Sequence, residues 1–158
     1  LGFKAPVIRI MPNINATVLE AMSAYCCSES VTDDQKEFAN KLCSSFGKVM
    51  PLSESYFPLF CSIAGCVPAY AYMFIDSLAR SAVKNGMNKS VALEIAAQTV
   101  LGSAKKILES DEHPWELIDK VCSPGGTTIE GIVSLQKDGF ESAVCNAVDA
   151  ALQKDKKV

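Results

Sequence analysis

Apolar positions along this chain follow two regimes, and the change falls near residue 53. Before it, short apolar runs alternate with polar turns. The run "APVIRIMPN" (5–13) is β-branched and apolar and stops at Pro12, which predicts a buried strand. "EAMSAYCCS" (20–28) predicts a second strand. Thr32, Asp33, Asp34 and Gln35 form a capping box, in which the threonine hydroxyl accepts from the backbone three residues on and Gln35 reaches back. It opens a helix that places Phe38, Ala39, Leu42 and Phe46 on one face, with Gly47 as its end. "KVMPLS" (48–53) predicts a short strand whose proline suits a sheet edge. The opening third thus reads β–β–α–β.

After residue 53 the texture is helical. A short apolar helix is predicted over 54–64. A longer one follows, with Pro68 in its first turn, where a missing N–H matters least, and Gly86 as its cap. Residues 67–75, "VPAYAYMFI", are apolar on every face. A helix of that kind is buried, and a chain this small cannot wrap it alone, so a second subunit is expected to cover it. Ser90 is read as the cap of the next helix, with Leu93, Ala97, Val100, Leu101, Ala104 and Leu108 as its stripe. Pro114 opens a shorter helix through Trp115, Leu117, Ile118 and Val121. Ile129, Ile132 and Val133 mark another, Gly139 breaks it, and Phe140, Val144, Ala147, Val148 and Ala151 mark the last.

Composition narrows the function classes. The chain has 158 residues, is 49% hydrophobic and carries a net charge of −3. That apolar share calls for a large core, an oligomer interface, or both. No basic stripe is present, so no nucleic-acid partner is expected. The lysine cluster Lys154, Lys156 and Lys157 reads as a solvated end. No apolar run is read as approaching the ~20 residues that span a bilayer, and no membrane partner is expected. The seven cysteines include no C-x-x-C, and a single histidine is present, so neither a metal site nor a disulfide framework is predicted. They read as reduced, mostly buried thiols of a cytoplasmic protein. His113 precedes a proline and reads as a polar helix entry rather than as the partner of a catalytic cysteine.

The candidate chemistry lies in "SPGGTTIEG" (123–131). A helix beginning near Thr127 exposes unpaired N–H groups at its positive end. Gly125 and Gly126 let an anion approach the backbone, and Ser123, Thr127 and Thr128 add hydroxyls. No lysine follows the glycines, which favours an anion smaller than a nucleotide phosphate chain. A plain glycine turn capped by a threonine fits the same residues equally well.

"SPGGTTIEGIVSLQKDGFESAVCNAVDAA" resembles the C-terminal signature of pyrroline-5-carboxylate reductases. "VIRIMPN", "PAYAYMFIDSLARSAVKNGM" and "ALEIAAQTVLGSAKKILES" with the "HP" and "LIDKVCSPGGTT" that follow are similar to that family in order and spacing. The resemblance spans essentially the whole chain. It implies a mostly α fold: a helical dimerisation domain like the C-terminal domain of 6-phosphogluconate dehydrogenase, preceded by a small β/α remnant of a Rossmann domain. It divides the chain at 1–53 and 54–158. It implies that Ser123, Gly125, Gly126, Thr127 and Thr128 hold the substrate carboxylate and that Met11, Pro12 and Asn13 border its ring. It also implies a homodimer of interleaved helices, with a ring of dimers as a further level. The family chemistry is hydride transfer from NADPH or NADH to the C=N carbon of pyrroline-5-carboxylate, giving proline. No metal and no acid–base triad is called for.

Two features depart from the family. No G-x-G-x-x-G follows a strand, so residues 1–53 read as the last part of a nucleotide domain. The chain as given is not expected to bind the cofactor in the family's manner or to turn over. Where the family carries a threonine near the ring, this chain has Cys61, and where it carries Ser-Gly-Ser-Gly-Pro this chain has Ala64, Gly65, Cys66, Val67 and Pro68. Cysteine is the weaker donor. Covariation within a packed helix junction and an altered substrate preference both fit. The alternatives to a reductase of pyrroline-5-carboxylate are a non-catalytic oligomerisation module and a reductase of another cyclic imine.

Overall fold

The computed structural model describes residues 5–155. Residues 1–4 and 156–158 lie outside it, and with them Lys156 and Lys157 of the tail. The fold is mostly α with one small sheet. Two compact units are present: residues up to Tyr70 together with those from Ala147 on, and Ala71–Asn146.

The first unit holds a three-stranded sheet in the order β1 (Ile8–Met11), β2 (Ala21–Cys27), β3 (Gly47–Pro51). β1 runs antiparallel to β2, with Met11 opposite Ala24, and β2 runs parallel to β3, with Ala21 opposite Gly47. Pro12 stops β1 as the sequence predicts, and β3 is an edge. β1, however, is half-exposed rather than buried, because it too is an edge among the described residues.

Helix α1 (Asp33–Ser44) connects β2 to β3. Its capping box forms: Thr32 Oγ1 accepts from Gln35 N and Gln35 Oε1 accepts from Thr32 N. Of the predicted stripe Ala39 is buried, together with Cys43, whereas Phe38 is 69% exposed and Leu42 is exposed as well. Small side chains let the helix lie close to the sheet and turn the large ones outward. Gly47 does not end the helix, which stops at Ser44; it enters β3 at φ +151°. A Cβ there would fall 2.2 Å from the Ala21 carbonyl oxygen.

The two predicted helices after residue 53 are one. A 3₁₀ turn (Glu54–Tyr56), α2 (Phe57–Phe60), a π turn (Cys61–Gly65) and α3 (Val67–Lys84) run on as 31 continuous helical residues. The π turn takes up one extra residue, with Cys66 N donating to the Cys61 carbonyl at 3.1 Å, so Gly65 and Pro68 do not interrupt the helix. The segment Glu54–Lys84 is thereby long and apolar enough, by length and composition, to cross a membrane, contrary to the sequence reading. Phe57 is fully buried and carries the Arg9 guanidinium over its ring at 4.6 Å.

In the second unit α4 (Lys89–Leu108) is capped by Asn88, not Ser90. Asn88 Oδ1 accepts from Ser90 N at 2.9 Å and from Ser90 Oγ at 2.6 Å. Asp76 of α3 is gripped by Lys89 and Arg80, whose hydrogen bonds hold its carboxyl below the ordinary range. α5 (Pro114–Val121) begins at His113, whose Nδ1 accepts from Trp115 N at 3.3 Å, the polar helix entry expected of it. α6 (Thr127–Lys137) and α7 (Phe140–Asp155) are separated by Gly139 at φ +75°. Phe74 and Phe140 stack tilted, centroids 6.0 Å apart.

The apolar residues buried in this unit are Ala79, Ala92 and Ala96. The larger ones face outward: Met73 of α3, Leu108 of α4 and Val121 of α5 are each about two-thirds exposed (69%, 68% and 66%). Of the predicted α4 stripe, Leu93 and Val100 are half-buried while Leu101 and Leu108 are exposed, and the fully buried positions are Ala92 and Ala96 instead. Exposed apolar area of this extent marks a contact surface. All seven cysteines are free thiols, but Cys43 is the buried one; five are half-buried and Cys145 is exposed. The expectation of mostly buried thiols presumed a core that one protomer does not have.

Two outcomes follow for stability. Gly47→Ala forces the β2–β3 pair apart and is expected to destabilise the chain by about 3 kcal/mol, read by urea denaturation. Asp76 has its folded pKa lowered, so its contribution is full above the ordinary carboxylate range and is lost as pH falls through the lowered value. Denaturation between about pH 5 and pH 2.5 should show an acid limb that is smaller in Asp76→Asn.

Candidate functional site

Residues 123–128 form a tight turn entering α6. Gly126 N donates to the Ser123 carbonyl at 3.0 Å, with Pro124 and Gly125 between them. Proline followed by a positive-φ glycine is the type II pattern, and Gly125 has φ +66°. The two glycines have different tasks. Gly125 supplies the left-handed backbone and faces open space. Gly126 supplies closeness: a Cβ on it would lie 2.3 Å from Ser123 Oγ.

Gly126 is also the N-cap of α6, and no side chain caps the helix. Thr127 and Thr128 are therefore its first two helical residues, and the threonine-capped turn is not what forms. Ser123, Thr127 and Thr128 are exposed. An uncapped helix start with free first-turn N–H groups and adjacent hydroxyls is suited to one small anion. Glu130, also in the first turn, disfavours a more highly charged one.

Thr128 borders an apolar groove of about 640 Å³ between α4, α5 and α6, walled by Gly102, Ile107, Leu117, Ile118 and Ile132. The predicted carboxylate turn and this apolar surface are thus contiguous.

The remaining predicted residues belong to the first unit. Met11 ends β1 and is half-buried, Pro12 is exposed, and Asn13 is half-buried at the start of the 3₁₀ turn Ile14–Val18. Asn13 uses both ends of its amide: Nδ2 donates to the Ala64 carbonyl at 3.0 Å and Oδ1 accepts from Met22 N at 3.3 Å. The structure thereby joins the Met11-Pro12-Asn13 turn to the π turn that carries Cys61. Cys61 is half-buried. Burial, and then the charge of Asp155, push its thiol pKa up, so at neutral pH it is a protonated, weak donor. Sequence reasoning missed the Asn13–Ala64 contact, although Pro68 standing four residues after Ala64 was its available signal.

A second crevice, of about 660 Å³, lies at the C-terminal ends of β2 and β3. Its cations are neutralised: Arg9 pairs with Glu54 and Lys36 with Asp33, each at 2.9 Å. The α1 start nearby is filled by its own capping box and bears Asp33 and Asp34. A dinucleotide's phosphates want an open, uncharged helix start. The described residues of this β–α–β segment do not fit that group. Among the described residues no cluster of three or more potential metal ligands is present.

A family model described as pyrroline-5-carboxylate reductase dimerisation matches residues 54–158. The chain belongs to that family. It is 40% identical to a pyrroline-5-carboxylate reductase of Synechocystis, over 96% of this chain and 57% of the relative. It is 39% identical to that of Escherichia coli K12, over 100% of this chain and 59% of the relative. The crystal structure of 1-pyrroline-5-carboxylate reductase from Streptococcus pyogenes superposes with TM-score 0.94 at 41% identity, covering 99% of this chain and 61% of that one. A Plasmodium falciparum pyrroline carboxylate reductase with NADP bound gives TM-score 0.92 at 35% identity, over 99% and 63%. The chain thus spans less than two thirds of the length of the relatives it matches.

The turn's two glycines are separable by substitution. Gly126→Ala should displace Ser123, while Gly125→Ala should cost about 1 kcal/mol through its left-handed backbone alone. Thermal unfolding of each, alone and in the Ser123→Ala background, checks this: serine removal should relieve Gly126→Ala and leave Gly125→Ala unchanged.

Proposed function

We propose that this chain is the substrate-binding and dimer-forming part of a pyrroline-5-carboxylate reductase of proline biosynthesis, an enzyme of the cytoplasm. The observation that carries the reading is the uncapped start of α6 at Gly126, with its left-handed Gly125 and exposed hydroxyls, inside a family-matched segment. Residues 54–158 are the helical domain, and 1–53 are the end of a nucleotide-binding domain.

Ser123, Gly125, Gly126, Thr127 and Thr128 hold the carboxylate. The first-turn N–H groups and the positive end of α6 bind it, and the hydroxyls of Ser123 and Thr128 orient it. The pyrroline ring is held by that one carboxylate, which fixes the distance of its C=N carbon from the turn. Met11, Pro12 and Asn13 border the ring, and Cys61 stands near it. In the intact enzyme a reduced nicotinamide, NADPH or NADH, would supply the hydride from outside the residues described. Positioning is the protein's part in such a reaction, so no nucleophile or metal is required of this chain.

Two copies of the chain cover the outward-facing apolar residues of α3, α4 and α5, as interleaved helices of a homodimer, with a ring of dimers as the higher level. This accounts for a unit whose own buried apolar residues are alanines.

The test is steady-state reduction of pyrroline-5-carboxylate by the intact enzyme, followed by loss of reduced-nicotinamide absorbance. A carboxylate contact is made equally in ground and transition states, so Thr128→Ala should lower kcat/KM about tenfold, chiefly through KM. Cys61→Thr, which supplies a stronger donor, should lower KM a few-fold, roughly one neutral hydrogen bond. An unchanged KM in Thr128→Ala would remove the loop from the site. Absence of turnover by a dimer intact in light scattering would favour the non-catalytic module.

A further inference from the structure

In an α-helix the carbonyl of residue i accepts from the N–H of residue i+4. For Ala64 that residue is Pro68, which has no N–H to give. The next candidate donor, Ala69 N, is turned to the Cys66 carbonyl at 3.1 Å. Ala64 and Pro68 are both buried, where an unpaired carbonyl is costly. The donor that Ala64 receives comes from 51 residues away in sequence: Asn13 Nδ2, at 3.0 Å. The other end of the same amide is fixed by Met22 N, at the start of β2.

We propose that Asn13 is a positioning residue whose side-chain amide replaces the N–H missing at Pro68, and so sets the place of the Cys61-bearing π turn against the Met11-Pro12-Asn13 turn. The proline and the asparagine are a matched pair. Pro68 leaves a carbonyl free at the point where the helix changes register, and Asn13 takes it. The two segments assigned to the substrate ring are held at a fixed separation by this bond. That assignment is the one under "Proposed function", and this inference rests on it for its kinetic consequence though not for its structural one.

A double-mutant cycle in the intact enzyme tests the pairing. With Pro68 present, Asn13→Ala should lower the melting temperature by roughly 3–8 °C. It should raise KM for pyrroline-5-carboxylate about tenfold, as a misplaced ring contact would, with KM for the reduced nicotinamide unmoved. In a Pro68→Ala background, residue 68 has an N–H for Ala64, and the same Asn13 substitution should have less than half of either effect. Asn13→Asp keeps the acceptor for Met22 N and loses the donor, so it should follow Asn13→Ala. Should Asn13→Ala fail to fold, Asn13→Ser takes its place in the cycle. Equal effects in both backgrounds, an Asn13→Asp variant with native KM, or a lower melting temperature with KM unmoved would each overturn the proposal. If no variant, the native protein included, turns over pyrroline-5-carboxylate, the functional reading fails, and the melting-temperature cycle still decides whether Asn13 substitutes for the proline N–H.

Discussion

In the unit Ala71–Asn146 the buried apolar side chains are alanines, while methionine, leucine and valine of comparable helices face outward. Burying a large aliphatic side chain contributes about 1.5–3 kcal/mol and burying an alanine far less. Helices arranged this way gain most of their apolar stabilisation only when something else covers them. Folding and association then draw on the same surface. The turn at the head of α6 sits beside that surface, since Thr128 is shared by the turn and by the apolar groove.

The elements were largely legible in the sequence, and their faces were not. Capping residues act locally: Thr32 with Gln35, His113 before Pro114, and Gly139 between α6 and α7 all act as read. Burial is not local. Phe38 and Leu42 on α1, and Leu101 and Leu108 on α4, follow a helical period and still lie outside, with alanines and a cysteine within. A hydrophobic stripe names the side that will be covered without saying by which chain. The π turn was illegible for a different reason. A 3.6-residue period carries no mark of one added residue, so Gly65 and Pro68 read as a break where the helix runs on.

Of the site, the turn was legible as a set of residues and only partly as geometry. Paired glycines before an apolar helix suggested an open approach to backbone N–H groups. They do separate work, one as a left-handed residue and one as a close neighbour of Ser123. Asn13 shows the reverse case. It was named only through the family resemblance, and its amide is committed to Ala64 and Met22. Long-range side-chain to backbone bonds of this kind leave no periodic trace. Cys61 is a thiol whose pKa burial and the charge of Asp155 push up, so its difference from a hydroxyl is one of donor strength rather than charge.

The contact between Gly126 and Ser123 has an evolutionary consequence. A methyl group at 126 and a hydroxyl at 123 claim the same space, so each residue sets what the other can become. Drift at 126 is closed while the serine stands. Removing the serine opens room at 126, yet the Ser123 carbonyl, 3.0 Å from the same position, still crowds it. The two sites form an epistatic pair in which single steps are penalised and the joint step is only partly relieved. Such a pair preserves a short motif whether or not every member touches a ligand.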